Sequence, residues 1–318
     1  MGNPLRGFNH IDAMSIDEAI AVLKQGDAWA CAGGTDLLGT MKFYILRDYP
    51  KTVVNIKTIK PSMNYIKEEG GVLKIGAVTK LEDIAKNDTI KVKWSALAEA
   101  AHKTASTHLR EMGTIGGNIC QLNRCWYFRK EDNRFDCIRK GGNTCYAIAG
   151  DNRYHSIFGA VAGCVAVNPS DIAPALVALD ATIITNKRSI PVEDFWAVKI
   201  PGSTVLESDE IVIEIQIPAF SGASAFVKFA LRSSIDFPIV NCAAAIDGSN
   251  ARICLNAVHS NPYRALAAEE VVSGNAINTQ IIDSASEAAV SGAIALPMNK
   301  YKIQIAKGMV KKAILACT

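Results

Sequence analysis

The sequence predicts an α+β chain folded as successive units, and three observations carry that prediction. At 318 residues the chain is long for one core and suits two or three lobes. Helix-like and strand-like stretches alternate through the first two thirds. Beyond Ser221, strand patterns run in succession and helical patterns follow, the order of an antiparallel sheet under a helical layer.

Taken in order, Ser15 with Glu18 three positions on is a capping box, which opens a short amphipathic helix over Ser15–Lys24. Trp29–Cys31 and Lys51–Ile56 read as strands, so the first fifty-odd residues form a small α/β lobe. Tyr65–Glu69 and Val72–Ile75 alternate as a hairpin closed by Gly70-Gly71. A helix is expected to start near Leu81, and a second, Ala- and Leu-rich, spans Trp94–Ala105. Ser170–Leu179 reads as a helix with a proline inside it, before the strands Thr182–Thr185 and Ile211–Ile217, the latter closed by Pro218. The last unit has strands at Ala225–Ala230, Ile239–Ile246 and Arg252–Ser260. Its helices are Ala265–Ser273, Ile281–Ala293 and Lys300–Cys317.

Composition narrows the functional classes. The 49% hydrophobic and 20% charged content is that of a soluble globular protein. A net charge of +3 is too small to imply a nucleic-acid partner. The apolar stretch around Phe158–Val167 is far too short for a membrane span. The N-terminal residues lack an apolar signal core, so a cytoplasmic protein is expected, and MGNPLR has no Ser or Thr at its sixth position to support myristoylation. Nine cysteines then point to metal binding or burial rather than disulfides. Cys31, Cys242, Cys254 and Cys317 sit among apolar residues and read as small buried hydrophobes.

Two glycine-containing turns could bind an anion. Ala32-Gly33-Gly34-Thr35-Asp36 follows a strand, and Thr114 precedes Gly116-Gly117-Asn118. Without a Cβ, backbone N–H groups can converge on a phosphate. Each turn alone could be an ordinary tight turn. Two of them in adjacent lobes, each flanked by Thr, suit a dinucleotide clamped between them. Neither is the G-x-G-x-x-G or Walker A pattern, so a doubly wound nicotinamide site is excluded.

Cys125, Cys137, Cys145 and Cys164 fall in one segment rich in Arg, Lys, Asn, Gly and aromatics. Paired knuckles typical of structural zinc are missing; only Cys120 and Cys125 come close together. An iron–sulfur cluster also needs four thiolates, with freer spacing. Arg124, Arg129, Arg134, Arg139, Lys140 and Arg153 would favour thiolates and offset a cluster's negative charge. A polar surface loop with incidental cysteines is the bland alternative, and zinc and iron–sulfur both stay open.

AGGTDLL at 32–38, GAVTKLEDI at 76–84, MGTIGGN at 112–118, PSDIAPALVALDA at 169–181 and FVKFALRSSIDFPIVNCAAAI at 226–246 occur in an order that marks one family. The chain resembles the FAD-binding medium subunit of the molybdenum hydroxylases, the xanthine dehydrogenase family, nearly end to end. The resemblance implies a two-lobed FAD-binding domain of the vanillyl-alcohol-oxidase (PCMH) type and a C-terminal α+β domain. The first lobe would be 1–58, the second 59–218 with an insertion at about 121–165, and the C-terminal domain 219–318. The cysteine segment is similar to that of a subset, including the β subunit of 4-hydroxybenzoyl-CoA reductase, with an extra 4Fe–4S cluster. That implies Cys125, Cys137, Cys145 and Cys164 as ligands. Cys120 stands where relatives usually have another residue and is left out; Cys164 comes later than in the reductase pattern.

The resemblance also implies roles at the flavin. Ala32, Gly33, Gly34, Thr35 and Asp36 would wrap the FAD pyrophosphate from the first lobe, and Thr114, Gly116, Gly117 and Asn118 from the second. Thr79 would approach the flavin, Asp171 the ribityl or ribose region, Val212 the isoalloxazine or adenine through its backbone, and Lys228 the flavin ring. Plain alternatives are a solvated charge for Lys228 and an acid at a helix N-terminus for Asp171. The implied partners are a large molybdopterin-binding subunit and a small subunit with two 2Fe–2S clusters, in a heterotrimer or a dimer of heterotrimers. Ferredoxin, NAD or a quinone would be the outer electron partner. No catalytic residue is assigned: none of the five histidines has an evident base or nucleophile partner, which disfavours a self-sufficient flavin oxidase. A colourless binding module with zinc in the cysteine loop is the competing expectation.

Overall fold

The computed structural model describes residues 4–318. The first lobe holds a parallel sheet in the order β1 (Asn9–Asp12), β3 (Thr52–Asn55), β2 (Ala28–Cys31). The helix Ile16–Leu23 crosses it and buries Ala19 and Leu23. Ser15 Oγ accepts from the Glu18 N–H at 3.1 Å, and the Glu18 carboxylate accepts from the Met14 N–H at 2.7 Å, a capping box displaced by one residue on its return arm. The core of this lobe includes Val78 and Ile211 from the second lobe, so apolar burial locks the two together.

The second lobe is built on an antiparallel sheet ordered β4 (Ile66–Glu69), β5 (Val72–Gly76), β8 (Val212–Ile217), β6 (Thr182–Thr185), β7 (Ser189–Pro191). Gly70 and Gly71 close the hairpin with φ of 59° and 81°, values that a two-residue turn with both central residues left-handed requires. The helix expected over Trp94–Ala105 forms over Ser95–His102. Asp88–Lys93 and Ser95–His102 are separate helices that meet at Trp94, whose backbone leaves helical geometry at φ −135°, ψ 51°. Its buried indole N–H donates to the Pro218 carbonyl at 3.0 Å, an anchor that a continuous helix would displace. In the helix Ile172–Ala178, Pro174 falls in the first turn, where a missing N–H costs nothing.

The C-terminal unit is an antiparallel sheet β9 (Ala223–Phe229), β10 (Val240–Asp247), β11 (Asn250–Asn256), β12 (Tyr263–Arg264), in the order β12-β11-β10-β9. Helices Leu266–Val272, Thr279–Ala288 and Tyr301–Leu315 cover it. The middle helix begins two residues before Ile281, because Asn278 caps it by accepting from the Ile281 N–H at 3.0 Å. It ends well before Ala293, and the freed chain carries Ile294, whose N–H donates to the Ile157 carbonyl at 2.7 Å.

That bond shows what holds the cysteine segment. It contains only short helical turns, such as Tyr146–Ala149. Its first half rests on the first lobe: Phe128 and Cys137 pack with Ile45, and the Asp132 and Asn133 N–H groups donate to Phe43 and Tyr44 carbonyls. Its second half rests on the C-terminal unit, with the Ile157 N–H on the Val258 carbonyl at 2.9 Å. Among the described residues, no helix is long and apolar enough to cross a membrane.

Candidate functional site

A cleft of about 760 Å³ opens between the two lobes, with residues of the C-terminal unit at its rim. Ala32, Gly33, Gly34, Thr35 and Asp36 line one wall, and Thr114, Gly117 and Asn118 the other, with Asp171 between them. Gly33 is what lets the walls meet: a Cβ there would lie 2.1 Å from the Met112 carbonyl oxygen. Gly34 follows at φ 72°. The backbone N–H groups of Gly33, Gly34, Thr35 and Asp36 donate to no other described residue. Consecutive free amides of this kind form an anion cradle.

The second glycine turn is not a loop. Thr114 caps the short helix Ile115–Cys120, its Oγ1 accepting from the Gly117 N–H at 3.2 Å, so Gly116, Gly117 and Asn118 are helical. Gly116 faces away from the cleft, where a Cβ would come within 2.8 Å of the Ala77 carbonyl oxygen. Asn118 is held by the Ser170 hydroxyl at 2.5 Å. Three further residues lie behind the cleft walls. Thr79 is buried and exchanges hydrogen bonds with the Tyr65 backbone at 3.0 and 3.1 Å. Val212 is buried in β8, opposite Thr185. Lys228 in β9 donates to Asp171 at 2.7 Å and to the Lys103 carbonyl at 3.0 Å. Burial pushes the Asp171 carboxyl up, and Lys228 and Asn241 pull against it.

Asp36 has a second task that its place in a glycine turn does not announce. One carboxylate oxygen accepts from Arg129 at 2.6 Å and lies 2.9 Å from Arg124; the other accepts from the Leu122 N–H at 3.0 Å. Burial and Arg129 pull the Arg124 guanidinium down to about 10, against Asp36, so it stays charged at neutral pH. Its guanidinium also stacks on Phe237, 4.6 Å from the ring centroid, which ties in the C-terminal rim. Two cations against one anion leave this side of the cleft net positive.

The chain then passes directly to the cysteines. Gln121, Leu122 and Arg124 line the cleft, whereas Asn123 and Cys125 line a second, small cavity of about 10 Å³. Extended backbone sends alternate side chains to opposite faces, so one strand of chain is the shared wall. Cys125, Cys137, Cys145 and Cys164 all line this second cavity, with Tyr127, Phe128, Ile138, Arg139 and Tyr146. The sequence-predicted four are therefore brought together, from positions spread along forty residues. Burial raises the Cys125 thiol to about 12, with Cys164 and Cys137 adding to the rise. Burial also raises Cys137, with Cys164 and Cys145 contributing.

Polar groups converge on these sulfurs. His155 Nε2 lies 3.2 Å from Cys125 Sγ, and the Ala166 N–H and an Arg139 guanidinium N–H reach Cys164 Sγ at 3.4 and 3.8 Å. Buried atoms without a hydrogen-bond partner gather here too: Arg139 Nε, Lys140 Nζ, His155 Nδ1 and Asn123 Nδ2. The His155 backbone is fixed from outside by Asn299 and by the buried Lys302, which donate to its carbonyl at 3.1 and 3.0 Å. Among the described residues, no three His, Cys, Asp or Glu side chains are grouped as ligands of one metal ion. Cys120 lies on the cleft side and apart from the four. The sequence named Arg124, Arg129, Arg139 and Lys140 among the charges that would offset a cluster, and His155 as a further ligand candidate with packing favoured; it carried no signal for the bonds from Arg124 and Arg129 to Asp36.

Comparison with known proteins agrees with this architecture. Residues 6–220 match the family described as the FAD binding domain in molybdopterin dehydrogenase, and residues 225–317 the CO dehydrogenase flavoprotein C-terminal domain. The aldehyde oxidoreductase FAD-binding subunit PaoB of Escherichia coli (strain K12) is 31% identical, over 82% of this chain and 84% of that one. The glyceraldehyde dehydrogenase medium chain of Sulfolobus acidocaldarius is 26% identical, over 96% of each. The structure of carbon monoxide dehydrogenase from Hydrogenophaga pseudoflava superposes with a TM-score of 0.75 at 26% identity, covering 99% of this chain and 98% of that one. With two lobes clasping an anion-cradling cleft and a C-terminal sheet at its rim, the chain belongs to the FAD-binding subunits of the molybdenum hydroxylase family and is an oxidoreductase subunit.

Proposed function

We propose that this chain is the electron-transfer subunit of a multi-subunit molybdenum hydroxylase, with FAD in the cleft and a 4Fe–4S cluster on Cys125, Cys137, Cys145 and Cys164. The observation that carries the reading is the shared wall: Gln121, Leu122 and Arg124 face the cleft while Asn123 and Cys125 face the cysteine cavity. A flavin exchanges one or two electrons and an iron–sulfur cluster one, which is the chemistry these groups supply when bound.

The chain's own residues hold and shield them. The free amides of Gly33–Asp36 suit a pyrophosphate, and Arg124 and Arg129 more than balance the Asp36 charge beside it. Thr114, Gly117 and Asn118 close on the same anion from the second lobe, with Asp171 toward the sugar. Thr79, Gly116, Val212 and Lys228 shape the walls from behind. Around the cysteines, buried N–H groups without partners suit an anionic, thiolate-bound group. A cluster would give each thiolate its own iron, whereas a single zinc would need all four about 2.3 Å from one centre; zinc in the same loop is the competing reading.

A large molybdopterin-binding subunit and a small subunit with two 2Fe–2S clusters complete the proposed complex, as a heterotrimer or a dimer of heterotrimers. Substrate chemistry belongs to the large subunit. Ferredoxin or NAD is the proposed outer electron partner, and the cytoplasm the proposed location. The test is anaerobic purification with flavin, iron, sulfide and zinc analysis and a visible spectrum. Flavin bands over a broad brown shoulder with four irons per chain are expected. Flavin with zinc and no iron would leave the FAD subunit and remove the cluster; a colourless protein would remove both.

A further inference from the structure

Arg139 lines the cysteine cavity, and the next residue, Lys140, lies over Phe128, which also lines it; neither cation has an anionic partner among the described residues. Arg139 is 2% exposed and Lys140 is 4% exposed, and neither forms an ion pair with a described residue. Arg139 donates one guanidinium N–H to Ser203 at 3.0 Å and directs another at Cys164 Sγ, 3.8 Å away, while its Nε has no partner. Lys140 Nζ has no hydrogen-bond partner at all; it rests over the Phe128 ring, 5.4 Å from the centroid. Asp136 Oδ2 pairs with Arg47, and Asp136 Oδ1 is buried without a hydrogen-bond partner. Burying an unpaired cation costs several kcal/mol. Two in adjacent positions, one of them directed at a cysteine sulfur, need a nearby negative charge to offset them.

We propose that Arg139 and Lys140 are fixed counter-charges that raise the reduction potential of an iron–sulfur cluster held by the four cysteines; this rests on the cluster reading given above. The argument is electrostatic. A thiolate-bound cluster is negative in both redox states, and more so by one charge after it takes an electron. Fixed positive charge in a dry pocket therefore stabilises the reduced state more than the oxidised one. Hydrogen bonding to the thiolate sulfurs acts in the same direction, and Arg139 provides both effects at Cys164. Asp136 faces Lys140 from the same segment and Arg47 from the first lobe; their mutual ion pair leaves the balance at the cavity positive.

The experiment is a dithionite titration of the full-length chain, followed by EPR, for wild type and for Arg139→Gln, Arg139→Lys and Lys140→Met. In each titration one electron passes from dithionite to the cluster and no bond is made or broken. At the wild-type midpoint potential, the reduced-to-oxidised ratio should fall about tenfold in Arg139→Gln and in Lys140→Met, a shift of 59 mV to lower potential. Arg139→Lys, which keeps the charge, should recover most of it. Wild-type iron content with unmoved potentials in both neutral variants overturns the inference and leaves the cluster reading intact. Iron-free wild type overturns the cluster reading itself. A second measurement needs no cluster. In protein stripped of iron by a chelator, Lys140→Met removes a buried charge without a counter-ion and should raise Tm by about 2 °C or more; a fall in Tm overturns the inference.

Discussion

The cleft and the cysteine cavity share a wall, yet they are built by opposite means. The cleft presents backbone: free amides at Gly33–Asp36, glycines that admit a close approach, and a helix capped by Thr114. The cavity presents side chains: four thiols, Arg139 and a ring of aromatics, with His155 against Cys125, on a segment with almost no regular structure. A backbone cradle depends on conformation and tolerates many side chains nearby. A side-chain cage depends on identity at each position and on whatever holds the loops still. Here the first lobe and the C-terminal unit hold them, through Ile45 and Phe128 on one side and Lys302 and Asn299 on the other.

Five substitutions put this contrast at risk, beginning with the largest effect. Cys125→Ser or Cys164→Ser should remove the iron entirely while flavin stays at one per chain, measured by metal and flavin analysis; joint loss would show the chambers to be one unit. Gly33→Ala should do the reverse. Its Cβ would meet the Met112 carbonyl at 2.1 Å, and both partners are backbone, so the walls must part. Flavin affinity should fall roughly a hundredfold, ~3 kcal/mol, with iron retained; unchanged flavin binding would contradict the backbone account.

Asp36→Ala should blur the distinction, because it strips Arg124 and Arg129 of their shared carboxylate. Discounting for partial exposure, a loss of about 2 kcal/mol in urea denaturation is expected, with weaker flavin binding and faster iron release. An effect on one chamber alone would mean that Asp36 does not link them. The mildest effect concerns Lys302. Burial pulls its ammonium down to about 7, against an unfolded value of about 10.4. Between these values the unfolded chain binds the extra proton, so Lys302 makes stability rise with pH, by about 1.4 kcal/mol per unit. Below about pH 7 both states carry the proton and the slope disappears. Denaturant midpoints from pH 7.5 to 9 should show less of this rise in Lys302→Met, and an identical slope would mean that its three carbonyl acceptors keep the lysine charged throughout.

Much of the first contrast was readable along the chain. The glycine turns, the hairpin at Gly70-Gly71 and the strand–helix order of the C-terminal unit follow from local chemistry, since turn geometry and side-chain period act over a few residues. Local reading failed where a distant partner overruled propensity. The residues after Ala288 leave a helix expected to run to Ala293, and Ile294 among them donates to Ile157. The turn at Gly116-Gly117 became helix because Thr114 caps it and Ala77 crowds Gly116. Asp36 looked like a residue of the anion loop. Its bonds to Arg124 and Arg129, some ninety positions on, carry no local trace.

By itself the sequence determined the family and the glycine turn at Ala32–Asp36, because each is a matter of residue type at short spacing, and it picked out four cysteines to watch. Only the tertiary structure decided that those cysteines face one cavity, that the cavity backs onto the cleft through Gln121–Cys125, and that Arg139 and Lys140 are buried beside it without a carboxylate partner. These are relations between segments far apart in the chain. They arise when apolar burial closes the lobes and the C-terminal unit around a stretch that has no fold of its own.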